Sequence, residues 1–164
     1  MLEPRRIAAR AAAAFMAHSL GERVGETVGY RVRRDTVIGP HTRIEVVTEG
    51  VLTRLIQHDP ALEGVGLVIF DEFHERSIHA DLGLVLTLQS RELLREDLRI
   101  LVMSATLDGE PIAALLGGVP LITSEGRSFP VELRPRPTRP DTRLEAGVAS
   151  VVRAALLPAD GRIP

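Results

Sequence analysis

The sequence predicts an α/β fold built on a largely parallel sheet. Two tetrapeptides, Leu67-Val-Ile-Phe70 and Ile100-Leu-Val-Met103, are continuously apolar, as strands covered on both faces must be. Segments of helical periodicity alternate with these and other strand-like runs, the pattern of a parallel sheet flanked by helices. Each strand-like run also ends in a polar cluster, and open parallel sheets bind ligands beyond the carboxyl ends of their strands.

Residues 4–20 read as a helix, because Pro4 suits a first-turn position, an Ala-rich run follows, and Gly21 is a natural stop. Met1 and Leu2 read as the end of an earlier element, since a domain seldom opens two residues before its first helix. Val28–Val32 and Ile44–Val47 have strand character, and Val51–Gln57 has helical spacing. Leu67–Phe70 follows as a strand, Ala80–Arg95 as a helix, Ile100–Met103 as a strand and Pro111–Leu116 as a helix. Leu121–Thr123 is the last predicted strand. From Arg127 to Asp141, Pro130, Pro135, Pro137 and Pro140 break any regular element and predict an extended linker. Leu144 to Leu157 then reads as an amphipathic helix, with Leu144, Val148, Val151, Val152, Ala155 and Leu156 near helical spacing. The expected organisation is a domain over 1–126, a linker over 127–141 and the start of a second domain over 142–164.

Composition narrows the chemistry. At 164 residues, 45% hydrophobic and 26% charged, the chain should fold as a soluble globule of one domain, or one domain plus part of another. No apolar run approaches the roughly 18 residues of a membrane span, so no membrane partner and a cytoplasmic location are expected. Cysteine is absent, which excludes disulfides and thiolate metal sites. All 20 basic residues are arginine, so the chain offers no lysine nucleophile, Schiff base or phosphate-binding lysine. The net charge is −2, but residues 1–34 carry seven Arg against three Glu. That imbalance fits either a local basic surface or ordinary solvated helix faces.

Four strand ends release polar clusters: Glu3-Pro4-Arg5-Arg6, Thr48-Glu49-Gly50, Asp71-Glu72-Phe73-His74 and Ser104-Ala105-Thr106. A parallel topology would bring all four to one edge. A carboxylate directly after a buried strand, as Asp71 is, is how phosphoryl-transfer sites hold Mg²⁺, and a neighbouring acid such as Glu72 can orient or deprotonate the attacking water. The same pair would serve equally as solvated acids ahead of the next helix. Arg5 and Arg6 fall in a first helical turn, where the dipole disfavours cations unless an anion lies nearby. Thr48 is suited to cap the following helix, and Ser104 and Thr106 to open the next one. His74-Glu75-Arg76-Ser77-Ile78-His79 approximates the zinc-protease pattern H-E-x-x-H but is one residue too long. Five residues separate the two His by about 140° on a helix, so a metal would need a loop here and a third ligand such as Asp81, His58 or His41. His79 reads as a surface or structural residue.

In order, E-P-R-R-I-A-A-R (3–10), T-E-G-V-L-T-R (48–54), D-E-F-H-E-R (71–76) and S-A-T-L (104–107) resemble motifs Ia, Ib, II and III of the DEAH-box helicases. The D-E-F-H variant, with G-Y-R-V-R (29–33) and S-E-G-R-S-F-P-V-E (124–132), is similar to the bacterial HrpB-type group of ATP-dependent helicases. The resemblance implies a three-layer RecA-like domain of the P-loop NTPase type, incomplete here because the P-loop strand and helix are missing. It implies ATP and Mg²⁺, with Asp71 coordinating Mg²⁺ through water, Glu72 acting as base or positioner, and His74 linking nucleotide state to Ser104 and Thr106. Arg5, Arg6, Thr48, Glu49 and Gly50 would meet the sugar-phosphate backbone of a single strand, contacts that carry no sequence information. Such contacts do not test for the 2′-hydroxyl; the family makes RNA the expected strand rather than DNA. The remainder of a helicase chain would be a partner, and the absent strand would leave sheet edges open to self-association. Three functional classes follow for the chain: part of an ATP-driven helicase, inactive alone; a standalone strand-binding module without ATPase activity; and a metal hydrolase.

Overall fold

The structure is a computed structural model that describes residues 1–105, 109–124, 126, 133, 135 and 143–156. The chain divides into two compact units, Met1–Thr123 and Ser124–Pro164.

In the first unit the described strands are β1 (Leu2–Glu3), β2 (Val28–Val32), β3 (Asp35–Val37), β4 (Ile44–Thr48), β5 (Leu67–Phe70) and β6 (Arg99–Val102). They form one sheet in the order β3-β2-β4-β1-β5-β6. All neighbours run parallel except β2 and β3, which form an antiparallel hairpin. Between the strands lie α1 (Arg6–Ser19), α2 (Glu49–His58) and α3 (Ile78–Leu93), with α4 (Glu110–Leu115) after β6.

Adjacent side chains on a strand point to opposite faces, and β4 shows what each face meets. Val46 packs with Ala9, Ala13 and Ala17 of α1, together with Val28 and Val32. Val47 packs with Leu52 and Ile56 of α2 and Leu84 of α3, around Leu2, Val68 and Phe70. Helices thus cover both faces at β4, giving the expected three layers, but β5 and β6 are not covered on both faces as their apolar runs predicted: α1 packs on β1, β2 and β4, and Leu67 and Leu101 are exposed. The small Ala9-Ala13-Ala17 stripe lets α1 lie close to the sheet, while larger residues fill the opposite layer.

Several elements differ from expectation. Leu2, read as the end of an earlier element, stands with Glu3 as a strand in mid-sheet, paired with β4 and β5. Its two residues are too few to show a periodicity. The first helix begins at Arg6 instead of residue 4, because Arg5 is extended (φ −127°, ψ 142°). β3 was not predicted, since Asp35-Thr36-Val37 is short and polar. It exists because the chain turns back at Arg33–Arg34 onto β2, where Gly29 leaves room: a Cβ there would lie 2.5 Å from the Val37 carbonyl oxygen. Leu121–Thr123 is not a strand; Ile122 is 91% exposed and makes no ladder with the sheet.

In the second unit the described element is α5 (Leu144–Leu156), matching the predicted amphipathic helix. The Pro-rich stretch 127–141 falls, apart from residues 133 and 135, outside the described residues. Among the described residues, no helix is long and apolar enough to cross a membrane.

Candidate functional site

Strand register brings the polar clusters into line. Leu2 lies opposite Val47 and Phe70, and Phe70 lies opposite Val102. The residues that follow, Glu3, Thr48, Asp71 and Met103, therefore form the next row at the carboxyl edge. The Asp71 amide donates to the Leu2 carbonyl at 3.2 Å, and the Met103 amide to the Phe70 carbonyl at 2.8 Å. One edge thus gathers the ends of β1, β4, β5 and β6, as the parallel topology requires.

Beyond β5 the chain bends sharply. Asp71 Oδ1 accepts the Glu72 amide at 2.8 Å. Glu72 itself is left-handed (φ 49°, ψ 34°), and residues Phe73–Glu75 form one 3-10 turn closed by the Glu75 amide on the Glu72 carbonyl. Arg76 ends the turn with a second positive φ of 44°. Two such residues within five are disfavoured by their Cβ atoms and persist only where the surroundings hold them.

Phe73 supplies much of that hold. It is buried in the layer of α2 and α3 and meets Phe70 edge to face, with ring centroids 6.1 Å apart. Its amide donates to the Met103 carbonyl at 3.0 Å, and the Arg76 guanidinium lies over its ring at 5.6 Å. The large side chain at this position is an anchor that pins the turn to the core.

The turn's polar side chains reach the three neighbouring clusters. His74 Nδ1 accepts the Ala105 amide at 3.2 Å, which puts its ring proton on Nε2, 3.4 Å from Glu72 Oε2. Arg5 Nη2 donates to both carboxylate oxygens of Glu75, at 3.1 and 3.0 Å. Ser77 Oγ donates to Glu49 Oε2 at 2.7 Å while accepting the Ala80 amide at 3.0 Å, so the same hydroxyl caps α3 and ties it to α2. Residues 71–77 are therefore linked to the ends of β1, β4 and β6.

Glu3 is buried at the end of β1 beside Asp71. Burial pushes its carboxyl up to about 7, helped by the charge of Asp71, a hydrogen bond with Asp71 and the charge of Glu72. Sequence reading did not single out Glu3, Glu75 or Ser77. Glu3 carried a usable signal: like Asp71, it is an acid that directly follows an apolar residue read as the end of an element. Ser77 ahead of a helical run was a legible cap.

The other candidates are distributed as follows. Arg5 occupies the N-cap position of α1 without a side-chain cap, and Arg6 opens the helix, exposed. Thr48 stands at the N-cap of α2, but its hydroxyl makes no cap bond. Gly50 is exposed in the first turn of α2, and a Cβ there would have no neighbour within 4 Å. Ser104 is exposed just past β6, and Thr106 lies outside the described residues. His74 and His79 fall on different elements, the 3-10 turn and α3. Among the described residues, no group of three His, Asp or Glu side chains is arranged to hold a metal ion.

A sequence-family comparison matches residues 7–115 to the DEAD/DEAH box helicase model. The chain belongs to the DEAD/DEAH box helicase family. Within this helicase family it is similar to the ATP-dependent RNA helicase HrpB of Escherichia coli, at 56% identity over 149 residues, which cover 91% of this chain and 18% of that protein. It is also 41% identical to an ATP-dependent RNA helicase HrpA homolog of Haemophilus influenzae, over 82% of this chain and 10% of that one. A crystal structure of the Escherichia coli DEAH/RHA helicase HrpB superposes with a TM-score of 0.87 at 56% identity, covering 95% of this chain and 20% of that one. The chain thus spans about a fifth or less of these helicases. Its six mostly parallel strands, flanked by helices, are of the RecA-like α/β type.

Proposed function

We propose that this chain is the part of an ATP-dependent RNA helicase that joins ATP hydrolysis to contact with a single strand. The observation that carries this reading is the convergence of four strand ends on one edge, with His74, Glu75 and Ser77, just past the Asp71–Glu72 pair, linking its turn to the other three.

Asp71 is the residue that would hold Mg²⁺, through water. The donor set suits that ion: a hard carboxylate oxygen, an ion that keeps most of its own waters, and crowded acids at Glu3, Asp71 and Glu72 whose mutual repulsion a cation relieves. When bound, Mg²⁺ neutralises charge on the phosphates. Glu72 then orients or deprotonates the attacking water, and its position next to the His74 ring supports that role. His74 relays the state of this site to Ser104 and Thr106.

Arg5, Arg6 and the 48–50 backbone meet the strand. Glycine in a helical first turn costs stability, and no internal neighbour of Gly50 demands it. Close approach of a ligand backbone is the reason left for its small size. The Glu49 carboxylate is engaged by Ser77, so Glu49 presents its main chain to the strand, while its side chain faces the turn after β5. Guanidinium groups suit phosphate oxygens without reading bases.

The chain has no lysine, so the lysine that would hold the ATP phosphates is not among these 164 residues. These residues alone should therefore bind strand weakly and hydrolyse no ATP. The strand-facing residues Arg5, Arg6 and 48–50 would serve equally in a second reading, a strand-binding module without ATPase activity. The two are separated by expressing in full the open reading frame that carries these residues. ATP turnover stimulated by oligouridylate and lost in Glu72→Gln supports the helicase reading; strand binding without turnover supports the second. For the strand contacts, Arg5→Ala with Arg6→Ala should lower the salt slope of oligouridylate binding by about 1.4, at about 0.7 per phosphate contact. An unchanged slope and affinity would remove α1 from the interface.

A further inference from the structure

The two segments assigned to the strand are both tied to residues 72–77, through side chains that the proposed function leaves unused. Glu75 accepts from Arg5, and Ser77 donates to Glu49. Within residues 72–77 the backbone holds two disfavoured conformations, at Glu72 and Arg76. The Glu75 amide closes the 3-10 turn on the Glu72 carbonyl, so the position of the Glu75 side chain is coupled to the backbone of Glu72.

The Arg5–Glu75 pair is open to water: the side chains are 73% and 38% exposed. Exposed pairs of this kind are weak and readily exchanged. A phosphate approaching the Arg5 guanidinium meets the negative charge of the Glu75 carboxylate, so the two anions compete for one cation. The Glu49–Ser77 bond is better shielded and needs no charged partner, so it keeps α3 tethered when the first link opens.

Building on the strand-contact reading above, we propose that Glu75 is a positioning residue that holds Arg5 while no strand is bound and yields it to a strand phosphate, so that strand occupancy releases the 72–76 turn and resets Glu72 and His74. The turn is suited to this because its strain is held by a few named contacts. Phe73 in the core and His74 on Ala105 fix its middle, and the Glu75 carboxylate on Arg5 is the link that a strand would address directly.

The test uses the full open reading frame that carries these residues, with oligouridylate as the probe. Nucleotide-free affinity and ATP turnover with and without oligouridylate are measured for the wild type, Glu75→Gln, Glu75→Asp and the double variant Arg5→Ala/Glu75→Gln. Glu75→Gln should bind oligouridylate up to about five-fold tighter, the most that an exposed pair withholds. Its ratio of stimulated to unstimulated turnover should fall, because the release step is already complete. Glu75→Asp, which keeps the charge, should recover the ratio. In the Arg5→Ala background, Glu75→Gln should change affinity no further. Wild-type affinity and ratio in Glu75→Gln, or equal tightening with and without Arg5, would overturn the proposal. A wild-type protein whose turnover ignores oligouridylate would instead overturn the helicase reading, and this inference with it.

Discussion

His74 accepts the backbone amide of Ala105 at its Nδ1, joining the ends of β5 and β6 across 31 residues of sequence. The bond also sets the ring's tautomer, since the proton left on Nε2 faces Glu72. Replacing His74 with Ala removes both relations at once. In the full reading frame, the expected loss in strand-stimulated turnover is about 5- to 150-fold, the range of ordinary coupling free energies. Steady-state kinetics with a nucleotide-binding control checks this, and a loss of nucleotide affinity alone would contradict it.

Gly50 predicts opposite effects on stability and binding. Its position in α2 is helical and unobstructed, so Gly50→Ala should stabilise the protein by about 0.5–1 kcal/mol. The same methyl group should weaken oligouridylate binding. Paired measurements of chemical denaturation and strand affinity decide this, and a variant that gained stability at unchanged affinity would remove the 48–50 backbone from the interface.

Glu3 gives stability a pH dependence whose sign follows from its shift. Its carboxyl rises from an ordinary 4.5 to about 7 in the folded protein. Between those values the folded chain holds a proton that the unfolded chain has lost, so this contribution is complete below 4.5 and disappears as pH rises through about 7. In Mg²⁺-free buffer the melting temperature should therefore fall between about pH 5 and about pH 8. Glu3→Gln should flatten that fall. A slope identical in the variant would assign the effect to other groups.

Phe73→Ala should cost about 3–5 kcal/mol, the usual loss for a buried aromatic truncated in place. Phe73→Leu should cost less while keeping the turn anchored. Denaturant unfolding of the two variants measures the difference. A Phe73→Leu variant as stable as the wild type would mean that the edge-to-face contact with Phe70 adds nothing beyond filled volume, and equal costs in the two variants would mean that filled volume is not what anchors the turn.

Much of this architecture was readable from residues alone. Val28–Val32 and Leu67–Phe70 were bounded as observed, because continuous or alternating apolar runs announce buried strands. β3 was missed because its pairing depends on the turn back onto β2 and three residues hold no pattern, whereas the end of β1 was legible from the polar cluster that follows Leu2. The convergence of polar clusters followed from topology, whereas the identity of their links did not. Nothing in the spacing of Arg5 and Glu75, or of Glu49 and Ser77, marks them as partners; sharp backbone bends at Glu72 and Arg76 bring them together. Phe73 stood in the D-E-F-H run without a role, which its ring against Phe70 supplies.

The place of β1 in mid-sheet has a mechanical consequence. In the plane of the sheet, the leaf β3-β2-β4 and the leaf β5-β6 are stitched together by one dipeptide, Leu2-Glu3. The spine of α2 against α3 bridges the leaves on one side, while α1 rests on β1, β2 and β4 on the other. In the plane of the sheet a displacement of either leaf reaches the other through Leu2 and Glu3, and the two acids nearest that junction, Glu3 and Asp71, would register it first.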